Sequence, residues 1–168
     1  ARDTRFVVTE GDRYKLDPDH LALVDVRAFE TGLQLAERLR AEDPTAAAAR
    51  LTEALAHYGG DLLDVPGLRD HFVAEREALK AKAREGFLRL AQLQAGSPAA
   101  AERTLARAAQ LLPADEALAL ARVLLLTALD RPDKARQAYW DCRKARKSAL
   151  GLPPGDELEA AFRALPQA

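Results

Sequence analysis

Pro98-Ala-Ala-Ala-Glu-Arg-Thr-Leu-Ala-Arg-Ala108 is the stretch whose reading decides the fold of this 168-residue chain. It opens on a proline, sets a small residue at Ala101, a large apolar one at Leu105 and a small one again at Ala108. The same spacing recurs in Pro132-Asp-Lys-Ala-Arg-Gln-Ala-Tyr-Trp-Asp-Cys142, with Ala135, Tyr139 and Cys142 in the matched places. It occurs once more in Pro44-Thr-Ala-Ala-Ala-Ala-Arg-Leu-Thr-Glu-Ala54, through Ala47, Leu51 and Ala54. Residues four apart and then three apart lie on one helix face, so each stretch presents a small-large-small stripe to a neighbour. The small residues let a partner backbone approach, and the large one fills the groove between helices.

The second and third copies are 34 residues apart, and the first and second are 54 apart. A step of 34 is the period of tetratricopeptide repeats, in which paired helices stack into a solenoid. Pro113 falls where such a repeat closes its second helix, and Leu88 at a first-helix core position. Glu85, Arg89 and Gln92 stand where the repeat's Trp, Gly and Tyr would be, so the unit is degenerate. Solenoids present surfaces for binding, which turns the functional question towards recognition.

Turn chemistry divides the rest of the chain. Asp25 opens an amphipathic stretch with apolar residues at Val26, Phe29, Leu33, Leu35, Ala36 and Leu39. Asp43-Pro44 starts a second helix that runs to about Tyr58, and Gly59-Gly60 stops it. One long helix is expected from about Leu68 to Ala95, burying Phe72, Leu79, Phe87, Leu90 and Leu93, with Gly86 marking close packing or a break. Further helices are expected over about 98–111, 115–129, 132–149 and 156–164. Residues 1–24 differ. Phe6-Val-Val-Thr9 and Tyr14-Lys-Leu16 flank Glu10-Gly-Asp-Arg13, the pattern of a β-hairpin that Asp17-Pro-Asp19 ends. The expected fold is all-α: a right-handed helical-hairpin solenoid of about seven helices over residues 25–168, preceded by a short N-terminal β-hairpin and linker over residues 1–24.

Composition narrows the chemistry. The formal net charge is -1, so the chain as a whole has no electrostatic pull on nucleic acid or membrane. A single Cys excludes an internal disulfide and fits a reducing, cytoplasmic setting. The longest apolar stretch, Val123-Leu-Leu-Leu126, reads as core and is far short of a bilayer span. The chain begins with Ala1, as a fragment would. No Gly-rich phosphate loop, nucleophile elbow or metal-binding His pair is present, so neither an enzyme nor a cofactor or metal protein is expected. His20, His57 and His71 are scattered, and Cys142 takes a small-residue core position whose basic neighbours could lower its pKa.

The order of elements carries a resemblance. Asp25-Val-Arg-Ala-Phe29, Leu51-Thr-Glu-Ala-Leu-Ala-His-Tyr-Gly-Gly-Asp-Leu-Leu63 and Phe72-Val-Ala-Glu-Arg-Glu-Ala-Leu79 follow one another, then Ala135-Arg-Gln-Ala-Tyr139 and Leu150-Gly-Leu-Pro-Pro-Gly-Asp-Glu-Leu158. Together they resemble the bacterial transcriptional activator domain, the helical module that follows a winged-helix DNA-binding domain in antibiotic-regulatory-type transcription factors. Phe72 stands where that family often has Trp. The resemblance implies a non-catalytic regulatory domain that mediates dimerisation, signal coupling or contact with RNA polymerase or another protein. It also makes Phe6 to Leu16 look like the last wing strands of a preceding winged helix, through which alone the parent would touch DNA.

Candidate contact residues follow from helix faces. Arg84, Gln92 and Arg122 are polar positions on the first helices of pairs, where a solenoid groove would lie, and Trp140 sits at the edge of the buried face of its helix. Packing of Trp140 near Phe162 and Leu165 is the alternative. Lys134, Arg136, Arg143, Lys144, Arg146 and Lys147 form a basic face, either a docking surface or simply the solvated side of an amphipathic helix. Two other functions remain open: an effector-sensing solenoid that binds a small molecule, and a free-standing tetratricopeptide scaffold unrelated to transcription.

Overall fold

The computed structural model describes residues 7–16, 24–62, 70 and 72–166. Strands β1 (Val7–Glu10) and β2 (Arg13–Leu16) pair antiparallel, with Val7 opposite Leu16 and Glu10 opposite Arg13. Gly11, at φ +62°, supplies the left-handed backbone that the two-residue turn requires. Phe6 and Asp17-Pro-Asp19 lie outside the described residues, as do His20 and His71.

The chain divides into two compact units, residues 1–58 and 59–168. The helices of the first are α1 (Asp25–Leu39) and α2 (Pro44–Ala56), packed as a hairpin. Asp43 caps α2 by accepting the Ala46 N–H at 2.9 Å, and Pro44 occupies the first helical position, where its missing N–H costs nothing. Phe29 and Tyr58 pack with ring centroids 5.7 Å apart. Gly32 faces Ala54 so closely that a Cβ on Gly32 would stand 2.6 Å from the Ala54 Cβ. The two backbones meet there through the absence of a side chain. Leu35, expected in the core, is exposed on the outer side of α1.

In the second unit α3 (Val73–Leu93), α4 (Pro98–Leu111), α5 (Glu116–Ala128), α6 (Pro132–Leu150) and α7 (Asp156–Arg163) follow one another. α3 pairs with α4 and α5 with α6, while α3 also touches α5 and α5 touches α7. First helix on first helix is the stacking of a helical-hairpin solenoid. α3 begins at Val73, later than the sequence suggests, because Phe72 is its half-buried N-cap. Its entry is held by Arg76, which donates to the Leu62 carbonyl at 3.1 Å, and by a 2.9 Å ion pair from Lys80 to Asp61. The helix runs unbroken through the buried Gly86, with Leu79, Phe87 and Leu90 in the core and Leu93 half-buried.

All nine residues of the repeated stripe are buried: Ala47, Leu51 and Ala54; Ala101, Leu105 and Ala108; Ala135, Tyr139 and Cys142. Each opening proline stands at the start of the second helix of a pair. The 54-residue interval thus holds one repeat step plus the extra chain that enters the long α3. The α5–α6 turn closes with Arg131 N–H on the Leu126 carbonyl and Asp130 N–H on the Thr127 carbonyl, a Schellman cap. Asp130 takes the left-handed position at φ +53°, where glycine is usual; Gly151 does so after α6, at φ +69°.

Candidate interaction surface

Helix α5 is apolar almost all round: Leu118, Ala119, Val123 and Leu126 are buried against its neighbours. A helix with apolar residues on every side normally has all of them covered. Here it does not. Ala117, Leu120, Ala121 and Leu124, at helical spacing on one side, line a cleft of about 480 Å³ whose other wall is the first turn of α7, from Gly155 to Leu158. Leu124 is 54% exposed, which corrects the reading of Val123-Leu-Leu-Leu126 as core throughout. Asp156 and Glu157 stand exposed on the rim and form no ion pair among the described residues.

Glu116 fixes this cleft. Its carboxylate accepts the Gly155 N–H and pairs with Arg146 at 3.0 Å. A Cβ at position 155 would lie 2.9 Å from Glu116 Oε1, so glycine permits that close seat. Arg146 also donates to the carbonyls of Pro153, at 3.2 Å, and Ala114, at 3.4 Å. One guanidinium and one carboxylate therefore tie α5, α6 and the start of α7 together.

The opposite side of α7 meets Trp140. Tyr139, fully buried, stacks on Phe162 with centroids 3.9 Å apart, and its hydroxyl donates to Glu159 at 2.6 Å. Burial, then the Glu159 hydrogen bond, raise the Tyr139 pKa against the lowering effect of Arg143. Trp140 lies edge-on to Tyr139 and Phe162 at 5.2 and 5.5 Å, yet is 48% exposed. Arg143 covers its ring at 5.0 Å, a cation–π contact. The packing of Trp140 near Phe162 is therefore present, while about half of the residue remains exposed.

The predicted basic face separates into two kinds of residue. Arg146 is turned inward as a tie, and Arg136 is held by Asp133 at 2.9 Å and by the Pro166 carbonyl. Lys134, Arg143, Lys144 and Lys147 are exposed. Arg136, Trp140, Arg143, Lys144 and Lys147 share one side of α6 by helical spacing, while Lys134 lies off it.

The polar groove residues do not gather at one point. Gln92 is exposed in the last turn of α3. Arg84 reaches Asp115 at 3.9 Å, and Arg122 pairs with Glu102 at 3.1 Å, so both link neighbouring helices. Arg122 also lines a smaller cavity of about 210 Å³ between α4, α5 and α6, with Gln110, Asp115 and Asp141. Its Nε is buried without a hydrogen-bond partner. Cys142 borders the same cavity, and burial pushes its thiol up to about 11, against the lowering effect of Arg146. Its basic neighbour does not activate it. Among the described residues no cluster of His, Cys, Asp or Glu could hold a metal ion, and no helix is long and apolar enough to cross a membrane.

The cleft on α5 was missed from sequence. Its signal was there: Ala117, Leu120, Ala121 and Leu124 make a second apolar stripe on a helix whose first stripe already suffices for the core.

Stacked hairpins with an uncovered apolar face define a helical-repeat domain of the binding kind. The family model of the bacterial transcriptional activator domain matches residues 24–165, and the chain belongs to that family. Among solved structures, Mycobacterium tuberculosis EmbR in complex with a low-affinity phosphopeptide has a similar fold, with a TM-score of 0.62 at 23% identity. The likeness covers 95% of this chain and 43% of the EmbR chain, so this chain spans less than half the length of that neighbour. No curated protein matches the chain.

Proposed function

We propose that this chain is the non-catalytic regulatory and protein-interaction domain of a larger bacterial transcriptional regulator. The observation that carries the reading is the family match, whose bounds at residues 24 and 165 take in α1 to α7. On this reading the β1–β2 hairpin belongs to a preceding winged helix that supplies DNA contact. The helical part then acts through protein contacts: self-association, RNA polymerase or another regulator, in the cytoplasm. The contact positions on this reading are Gln92, Trp140 and the exposed cations of α6, with Arg84 and Arg122 contributing only through groups not taken up by Asp115 and Glu102.

The test is a pair of fusions in a bacterial reporter strain. Joined to a DNA-binding domain that needs dimerisation, or to one that needs a polymerase contact, the chain is expected to change transcription in at least one format. No change in either would overturn the reading. The isolated chain is expected to leave promoter DNA unshifted, and a shift would overturn the assignment of DNA contact to another domain.

A second reading, effector sensing, is favoured by the α4–α5–α6 cavity and the unpartnered Arg122 Nε that borders it. At about 210 Å³ it lies below the range of about 300–1,000 Å³ usual for ligand pockets. Thermal-shift screening against small organic anions tests it: a hit lost in Arg122→Gln supports sensing, and no hit removes it.

A further inference from the structure

We propose that the cleft between α5 and α7 receives a basic amphipathic helix from a partner protein. The inference rests on the reading of this chain as an interaction domain and names the site and the chemistry of its ligand. Three observations lead there.

The first is the floor. Ala117, Leu120, Ala121 and Leu124 extend over two helical turns, about 10 Å of axis. Small and large residues alternate along this stripe, which leaves grooves that ridges from another helix can enter. The same chain uses small-large-small stripes for its internal helix pairs; on this stripe Leu120 packs only in part against the α5–α6–α7 core, and Ala117 and Leu124 are left exposed.

The second is the cost of the arrangement. Leu124 is 54% exposed in the cleft, on a helix whose other apolar side already packs fully. Scattered surface leucines need no explanation, whereas a contiguous apolar stripe beneath a concave wall marks a contact site.

The third is charge. Asp156 and Glu157 complement the dipole at the start of α7, and that alone accounts for acids in a first helical turn. They also line the cleft with the apolar floor, exposed and without ion pairs among the described residues, while Arg146, the cation tied to the loop before α7, is paired with Glu116. An occupant with apolar anchors at i, i+3 or i+4 and i+7, and Lys or Arg on its flanks, satisfies both floor and rim. An acidic helix would fit the floor and be repelled at the rim. The occupant is therefore basic.

The probe is a fluorescein-labelled peptide of Leu and Lys in helical register, titrated with the whole chain and read by fluorescence anisotropy. Saturable binding is expected, weakened about tenfold or more by Leu124→Lys, which adds a cation to the floor. Exchange of the rim by Asp156→Lys with Glu157→Lys is expected to weaken binding and flatten its salt dependence. A Leu and Glu peptide in the same register is expected not to bind, and Arg103→Glu, exposed on α4, which contributes nothing to the cleft lining, to leave binding unchanged. All these positions are exposed, so circular dichroism should show the fold intact in every variant.

Equal binding of the two peptides, or indifference to both Leu124→Lys and the rim exchange, would overturn the proposal. So would self-association of the chain, by sedimentation, that Leu124→Lys abolishes, since a second copy would then own the cleft. A reporter response without peptide binding removes this site and leaves the interaction reading standing. Peptide binding without a reporter response does the reverse.

Discussion

The α1–α2 hairpin and the α5–α6–α7 segment use the same repeated stripe and close it in opposite ways. In the first, Leu51 fills the central position, and the helices meet where Gly32 leaves room for Ala54. In the second, Tyr139 occupies the matched position, and its ring reaches past the pair to stack on Phe162 of α7. One hairpin is closed by removing a side chain, the other by a side chain large enough to hold a third helix. The repeat therefore fixes where a contact is made and leaves open what is contacted.

The largest effect is expected where that difference is greatest. Tyr139→Ala removes a fully buried aromatic ring, its stack and its bond to Glu159, and should cost about 3–5 kcal/mol in urea unfolding. Tyr139→Leu makes the third copy resemble the first. Hydrogen exchange should then show α7 amides losing protection while those of α5 and α6 keep most of theirs.

Gly32→Ala attacks the other closure. The added Cβ would stand 2.6 Å from that of Ala54, forcing the helices apart. Overpacking of this kind costs about 1–3 kcal/mol, offset by about 1 from the better helix propensity of Ala. A net loss of stability confined to α1 and α2 amides is expected, and a gain would show that the two helices are free to separate.

Asp130→Gly acts on the turn between α5 and α6. A left-handed φ of +53° is costly for a residue with a Cβ, so glycine should stabilise by up to about 1 kcal/mol. Gly151→Ala, at φ +69°, should move stability the other way by about the same amount. Chemical denaturation of the two variants checks the pair.

The smallest effect concerns Cys142, matched to Ala54 and Ala108 in the other copies. Burial raises its pKa from 9.0 to about 11, so the native state holds a proton that the unfolded chain releases. Stability is thus unaffected below about pH 9 and falls as pH rises towards 11. Cys142→Ala should lose this alkaline decline, seen by comparing urea midpoints at neutral and alkaline pH.

The starts of six of the seven described helices were legible to within about two residues: proline at the first position and a small-large-small face set α2, α4 and α6, and acidic or turn residues marked the starts of α1, α5 and α7. α3 was harder. Its start depends on Arg76 and Lys80 gripping Leu62 and Asp61, long-range ties that no local pattern announces. The same reason separated Arg146 from the exposed cations: its partners Glu116, Ala114 and Pro153 are distant in sequence or sit in loops. The α5 cleft required knowing which of two apolar sides a neighbour covers, and periodicity alone does not rank them.

α7 is only eight residues long, yet it is the wall of the cleft on one side and the support of Trp140 on the other. Trp140 is also the only tryptophan in the chain. Any occupant that nudges α7 must shift Phe162 against that indole and alter how far Arg143 shields it from water. The domain therefore carries its own optical gauge: intrinsic emission, excited at the indole alone, should report occupancy of the cleft without a label.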